Sequence, residues 1–178
     1  MLKADAQEGL YAELVPPEAV HGVTRRIHFG HGDVSICGVF VVRWGSNLAA
    51  RALARVLRLP RPGEDVPVRV HILRTPGRER WVRWFGERRI ESVQFLSRGE
   101  LVERVGPLRL RCRLETSDGA LRFVHTGASL GLVRLPRAIA PRVESRVVEL
   151  GGLMHVSVRV EAPLVGTVFA YEGCVREG

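Results

Sequence analysis

WVRWFGERRIESVQFLSRGELVERV, residues 81–105, decides the fold. Its side chains alternate with the period of two that marks strands, and two turn signals, Gly86-Glu87 and Arg98-Gly99, cut it into three. If each turn has two residues, Phe85 pairs with Arg88, Trp81 with Ser92, Gln94 with Glu103 and Ser92 with Val105. Both turns then agree on sides. One face carries Trp81, Arg83, Phe85, Ile90, Ser92, Gln94, Leu101, Glu103 and Val105. The other carries Val82, Trp84, Arg89, Glu91, Val93, Phe95, Val102 and Arg104. Alternation alone leaves either face free to be the inner one.

The first face mixes apolar bulk with Arg83, Ser92, Gln94 and Glu103. Buried charge is costly unless paired, so on an interior face Arg83 and Glu103 must find each other, bind water or line a cavity. A ligand pocket has this composition, mostly apolar with a few convergent polar groups. In that reading Glu103 is a general acid or base and Arg83 anchors an anionic or enolate oxygen, with Trp81, Phe85, Ser92 and Gln94 as substrate contacts. The competing reading is a structural ion pair across the sheet.

Outward from this stretch, strands continue. VSICGVFVVRW, residues 34–44, puts Val34, Ile36, Gly38, Phe40, Val42 and Trp44 on one face, and Val39 and Val41 make the other face apolar too, so burial on both sides is expected. LAARALARVLRL, residues 48–59, is the main predicted helix, capped by Ser46 or Asn47 and stopped by Pro60, with Arg51, Arg55 and Arg58 outside. A short helix is also expected over residues 8–14, before Pro16 and Pro17. In PLRLRCRLE, residues 107–115, Leu108, Leu110, Cys112 and Leu114 face inward, and a turn at Asp118-Gly119 sets Cys112 opposite His125 and Leu114 opposite Phe123. Residues 131–141 break the pattern with two prolines and read as a loop with a short helical turn that could act as a flap over a cavity.

These elements predict a mainly β fold: a curved antiparallel sheet closing into a lipocalin-like barrel around a pocket, with one main helix against the sheet or plugging an end. An α+β helix-grip sheet is the alternative, weakened because residues 156–175 read as strands. With 178 residues and no linker or repeat, residues 1–178 are expected to form a single domain.

The formal charge is +8, and of 27 basic residues only Lys3 is lysine. The arginines are spread along the chain without a block of like charge, which weakens a nucleic-acid reading. The arginine-rich stretch at residues 74–89, with two Trp and a Phe, could still stack single-stranded bases. Cys37, Cys112 and Cys174 are odd in number and form no CxxC pair, so they predict buried, inert thiols and neither disulfides nor structural zinc. His21, His28 and His31 lack a carboxylate or cysteine spaced to complete a metal site. No apolar run is long enough for a membrane helix and no secretory leader is legible, so a soluble, cytoplasmic protein is expected.

Serine-nucleophile, dinucleotide, phosphate-loop and zinc-protease signatures are missing; GASLG at residues 127–131 resembles a nucleophile elbow only loosely. An enzyme on this chain would therefore be expected to work without a cofactor, by positioning and acid/base chemistry.

The order of motifs resembles the bacterial domain of unknown function 4166 family. The features are Ile27-His28, RWG at 43–45, LRLP at 57–60, G-x-D-V-P-V-x-V at 63–70, WVRWFG at 81–86 and LVERVGP at 101–107. They continue through Leu135-Pro136, Ala140-Pro141, Glu144, PLVG at 163–166, Tyr171 and Gly173. The resemblance implies a stand-alone copy of a domain otherwise found after an oxidoreductase domain of the saccharopine-dehydrogenase type, so an oxidoreductase partner in trans is an expectation. It names no activity, but it includes Trp81, Arg83 and Glu103, and it adds His28, Trp44 and Tyr171 as pocket candidates.

Three functions are thus expected, in this order. The first is a cofactor-independent enzyme acting on a hydrophobic small molecule, such as a cyclase or isomerase of bacterial secondary metabolism. The second is a non-catalytic carrier of an apolar ligand, or an accessory module of an oxidoreductase. The third is a nucleic-acid-binding protein.

Overall fold

The computed structural model describes residues 9–178; the single domain expected over 1–178 and the start of the helix expected over 8–14 extend outside the described residues. The chain enters through two 3-10 turns, Leu10–Glu13 and Pro17–Ala19, and helix α1, Gly22–Phe29. Strand β1, Val34–Trp44, and helix α2, Leu48–Val56, follow. Next come β2, Gly63–Thr75; β3, Arg78–Phe85; β4, Arg88–Ser97; β5, Glu100–Val105; and β6, Leu108–Ser117. The chain ends with β7, Ala120–Leu130; the two-residue β8, Val133–Arg134; β9, Arg142–Leu150; β10, Leu153–Ala162; and β11, Gly166–Glu177.

The sheet runs β6-β5-β4-β3-β2-β1-β11-β10-β9-β7, and β6 pairs with β7 as well. That last pairing closes a ten-stranded antiparallel barrel, with β8 appended to β7 outside the ring. Closure removes the exposed edges that an open sheet would present. Closure also needs sharp coiling, and two glycines permit it between β1 and β11. A Cβ on Gly38 would stand 2.0 Å from the carbonyl oxygen of Cys174, and one on Gly173 2.3 Å from that of Val39.

The registers expected from the tight turns are present. Phe85 pairs with Arg88, Trp81 with Ser92, Gln94 with Glu103, Leu114 with Phe123 and Cys112 with His125. Arg98, Gly86 and Gly99 take the positive φ angles such turns require. The face of Trp81, Phe85 and Leu101 is the inner one, and these residues join a core with Ile36, Phe40, Ile72 and Leu121.

β1 departs from expectation. Its inner residues Ile36, Phe40 and Val42 are buried, but Val39 is 49% exposed, with no helix among the described residues covering the outer wall there. The helices go to the ends instead. α2 lies at the end where β1 finishes; Asn47 caps it by accepting a hydrogen bond from Ala50 N at 2.7 Å, and the half-buried Leu53 and Leu59 border the barrel cavity. It ends at Val56, earlier than the pattern to residue 59 implied, with Leu57 as the C-cap and Arg58 turning to φ 51° after it.

A second helix, α1, was not expected and plugs the other end. Val23, Thr24, Ile27 and His28 recur at helical spacing on one buried face. The barrel holds both of its termini. Glu149 of β9 accepts a hydrogen bond from Val23 N at 2.6 Å, in place of an N-cap side chain from His21. Arg74 of β2 donates to the carbonyl oxygens of Ile27 and Gly32, a cation on the negative end of the helix dipole. Glu149→Ala is expected to lower stability by about 1 to 2 kcal/mol, the usual worth of a cap plus dipole contact. A urea midpoint equal to that of the parent protein would mean that water replaces Glu149 without loss.

Cys112 is buried as expected, whereas Cys37 and Cys174 are only half-buried; all three are free. Burial pushes the Cys112 thiol up to about 12, assisted by Glu103 and Glu100, so it stays protonated. No helix among the described residues is long and apolar enough to cross a membrane.

Candidate functional site

The barrel encloses a cavity of about 350 Å³ with a largely apolar wall. Of the residues singled out in the sequence, Trp81, Arg83, Phe85, Gln94, Glu103, His28 and Tyr171 line it. Their convergence follows from alternation along β3, β4 and β5, supplemented by α1 and β11.

Arg83 and Glu103 meet across two strands. Their Nη2 and Oε1 atoms are 3.1 Å apart. Ser92 lies between them: Arg83 Nη1 donates to Ser92 Oγ at 2.7 Å, and Ser92 Oγ donates to Glu103 Oε1 at 2.6 Å. Ser92 is therefore a buried bridge rather than a cavity contact. Burial disfavours the charge on Arg83, but Glu103, Tyr171 and Tyr11 outweigh it and hold the guanidinium above its usual value. The guanidinium also lies over the Trp81 ring, 4.8 Å from its centre, a cation–π contact. Both contacts to Glu103 fall on Oε1, and Oε2 accepts no hydrogen bond among the described residues.

Two more groups complete the polar corner. Tyr11 Oη donates to Gln94 Oε1 at 2.6 Å, and burial pushes its hydroxyl well above the ordinary tyrosine range. His28 stacks on Trp81 with ring centres 5.7 Å apart, and neither of its ring nitrogens has a hydrogen-bond partner among the described residues. Burial, with the positive charges of Arg74 and Arg83, pulls its pKa down to about 3, so the ring is neutral. A neutral imidazole carries one donor and one acceptor nitrogen, and in His28 both are buried beside the cavity wall.

Trp44 is not part of this wall. Its indole Nε1 donates to Pro60 O at 2.7 Å and its ring lies under Arg55, so it clamps the α2 segment. Tyr11 and Glu79 were not singled out from the sequence. Glu79 is fully buried, bonded to Trp81 Nε1 at 3.0 Å and ion-paired with Arg74 at 3.0 Å; burial raises its pKa against the pull of Arg74. Its position two residues before Trp81 placed it on the same face, and that signal was available. The docking of Tyr11 had no local signal.

Of the three aromatic rings in the arginine-rich stretch at 74–89, Trp81 and Phe85 point inside, and Trp84 is half-buried against His71. Among the described residues no group of three His, Cys, Asp or Glu side chains is placed to hold a metal ion.

The barrel is similar to a solved structure from Nostoc punctiforme PCC 73102, a protein of unknown function from the DUF3598 family. The TM-score is 0.53 and the identity 16%, over 82% of this chain. The chain spans 47% of that protein, about half its length, and the likeness is one of fold alone. No curated protein matches the sequence significantly. The sequence of residues 21–174, which holds β1 to β10, most of β11 and most of the polar corner, matches one family, and the chain belongs to the domain of unknown function family DUF4166.

Proposed function

We propose that the barrel is a cofactor-independent enzyme acting on a hydrophobic small molecule, in the class of cyclases and isomerases, and that its setting is cytoplasmic, in keeping with three free cysteines. Glu103 carries the reading. Its Oε1 is committed to Ser92 and Arg83 while Oε2 is left without a partner on a cavity with mainly apolar walls. A carboxylate oriented through one oxygen and free at the other is suited to taking a proton from bound carbon or returning one. Arg83, held by Glu103, Ser92 and Trp81, is placed to stabilise an oxyanion that develops in the same step. His28 and Tyr11 supply hydrogen bonds that orient the substrate, and Phe85 and Tyr171 supply apolar surface.

The test begins with native mass spectrometry and denaturing extraction of the purified protein, to name a co-purified apolar molecule. With that molecule as substrate, Glu103→Gln is expected to lower kcat by about 100-fold or more, the usual worth of a general acid or base, with affinity kept. Binding without turnover, equal in parent and variant, would instead support the carrier reading, which the mutual pairing of Arg83 and Glu103 also fits. Nile red should bind with 1:1 stoichiometry and be excluded by Val158→Trp, which fills the cavity; unaltered binding in that variant would place the dye outside the barrel.

A further inference from the structure

β7 and β9 pair only over Ala120–Val124 and Glu144–Val148, and beyond Val124 and Glu144 they part. A cleft of about 770 Å³ lies at this split, on the half of the wall toward α2. Arg113, Arg122, Arg134, Arg137, Arg142, Arg146 and Arg159 line it, against the single carboxylate of Glu144. That local excess of positive charge approaches the +8 of the whole chain. None of the seven arginines is in an ion pair with a carboxylate among the described residues.

Two further observations point to an anion. Arg122 and Arg146 sit directly opposite one another across the β7–β9 ladder, where like charges repel unless something negative lies between them. His125 and Thr126 line the cleft, and their buried Nδ1 and Oγ1 atoms have no hydrogen-bond partner among the described residues. The cleft offers no exposed aromatic ring for stacking bases; its one aromatic residue, Phe123, turns its ring inward against Tyr11 and His28. A compact phosphate-class group fits it better than a nucleic-acid strand.

The cleft and the interior cavity share Phe123, Val143 and Ser145 as wall. We infer that the parted β7–β9 seam is the mouth of the barrel, and that its ligand is amphipathic: an apolar body inside, and a phosphate or diphosphate group held by the arginines at the seam. The inference rests on the reading of the cavity as an apolar-ligand site and names the class of ligand it takes.

The probes are dodecyl phosphate and dodecanol, titrated by calorimetry below micelle-forming concentrations at 150 mM salt, with inorganic tripolyphosphate as the anion without a chain. Dodecyl phosphate is expected to bind at least 10-fold more tightly than dodecanol. That gap should close in Arg122→Gln/Arg146→Gln, whose melting temperature should be unchanged or raised because a like-charge pair is removed. Equal affinity for the two dodecyl probes would overturn the charged mouth while leaving the apolar cavity standing. Binding of neither dodecyl probe would overturn the cavity reading itself. A preference for dodecyl phosphate that survives the double variant would put the head group elsewhere, on Arg83 for instance, and would also overturn the inference. Tripolyphosphate binding as tightly as dodecyl phosphate would make the cleft a separate anion site, not a mouth.

Discussion

Arg83→Met should destabilise the barrel by about 3 to 5 kcal/mol, because it strands the Glu103 carboxylate among apolar walls with only Ser92 to solvate it. Glu103→Leu should cost a similar amount by stranding the guanidinium. The double variant Arg83→Met/Glu103→Leu should return to within about 1 to 2 kcal/mol of the parent, since replacing a buried pair with apolar groups of similar volume is close to neutral. Side-chain exposures of 17% and 26% place both groups well below surface ion pairs, which contribute about 0 to 1 kcal/mol. Urea unfolding of all four proteins closes the cycle. Single variants that cost under 1 kcal/mol would show that cavity water screens the pair. A double variant as unstable as the singles would show that packing, not charge, holds the two strands there. The double variant also separates fold from chemistry, because it should be folded and without turnover.

Acid should unfold the protein through His28. The imidazole protonates near 6.5 in the unfolded chain and near 3 in the barrel, so between these values the unfolded state binds more protons and stability falls as pH falls. At about 1.4 kcal/mol per unit, the loss from pH 6.5 to 3 is about 3 to 5 kcal/mol; below pH 3 both states carry the proton and the loss stops growing. Glu79 works in the opposite sense, because burial raises its folded value and stability recovers as pH falls through it. Comparing the parent with His28→Phe isolates the histidine. The variant keeps an aromatic ring against Trp81 and removes two unpartnered nitrogens, so it should be as stable or more stable at pH 7 and lack most of the loss between pH 6.5 and 3. Parallel pH profiles for the two proteins would mean that His28 is protonated in the folded state and has a partner.

Part of the site was legible because its geometry is local. The turns at Gly86 and Arg98 each close in two residues, so the register of β3, β4 and β5 follows from counting, and with it the shared face of Arg83, Ser92, Gln94 and Glu103. The same counting missed Glu79, which was read with the arginine-rich turn although it sits two residues before Trp81. Trp44, a pocket candidate through the resemblance, shares the inner side of β1, but alternation gives a side and not a depth along the strand. At the end of β1 that side is occupied by the α2 segment and Pro60.

The sequence by itself determined the strand periods, the tight-turn registers and the shared face of Arg83 and Glu103, all set by interactions within about 25 residues; that the two pair through Ser92 was decided by the structure. Only the tertiary structure decided which face is inside, because burial depends on the curvature of the whole sheet and on the β6–β7 pairing that closes it. It likewise decided that α1 plugs one end and brings Tyr11 and His28 to Gln94 and Trp81, and that β7 and β9 part to gather the arginines. Those contacts join residues 53 to 83 positions apart, or depend on where pairing stops, and no local pattern encodes either.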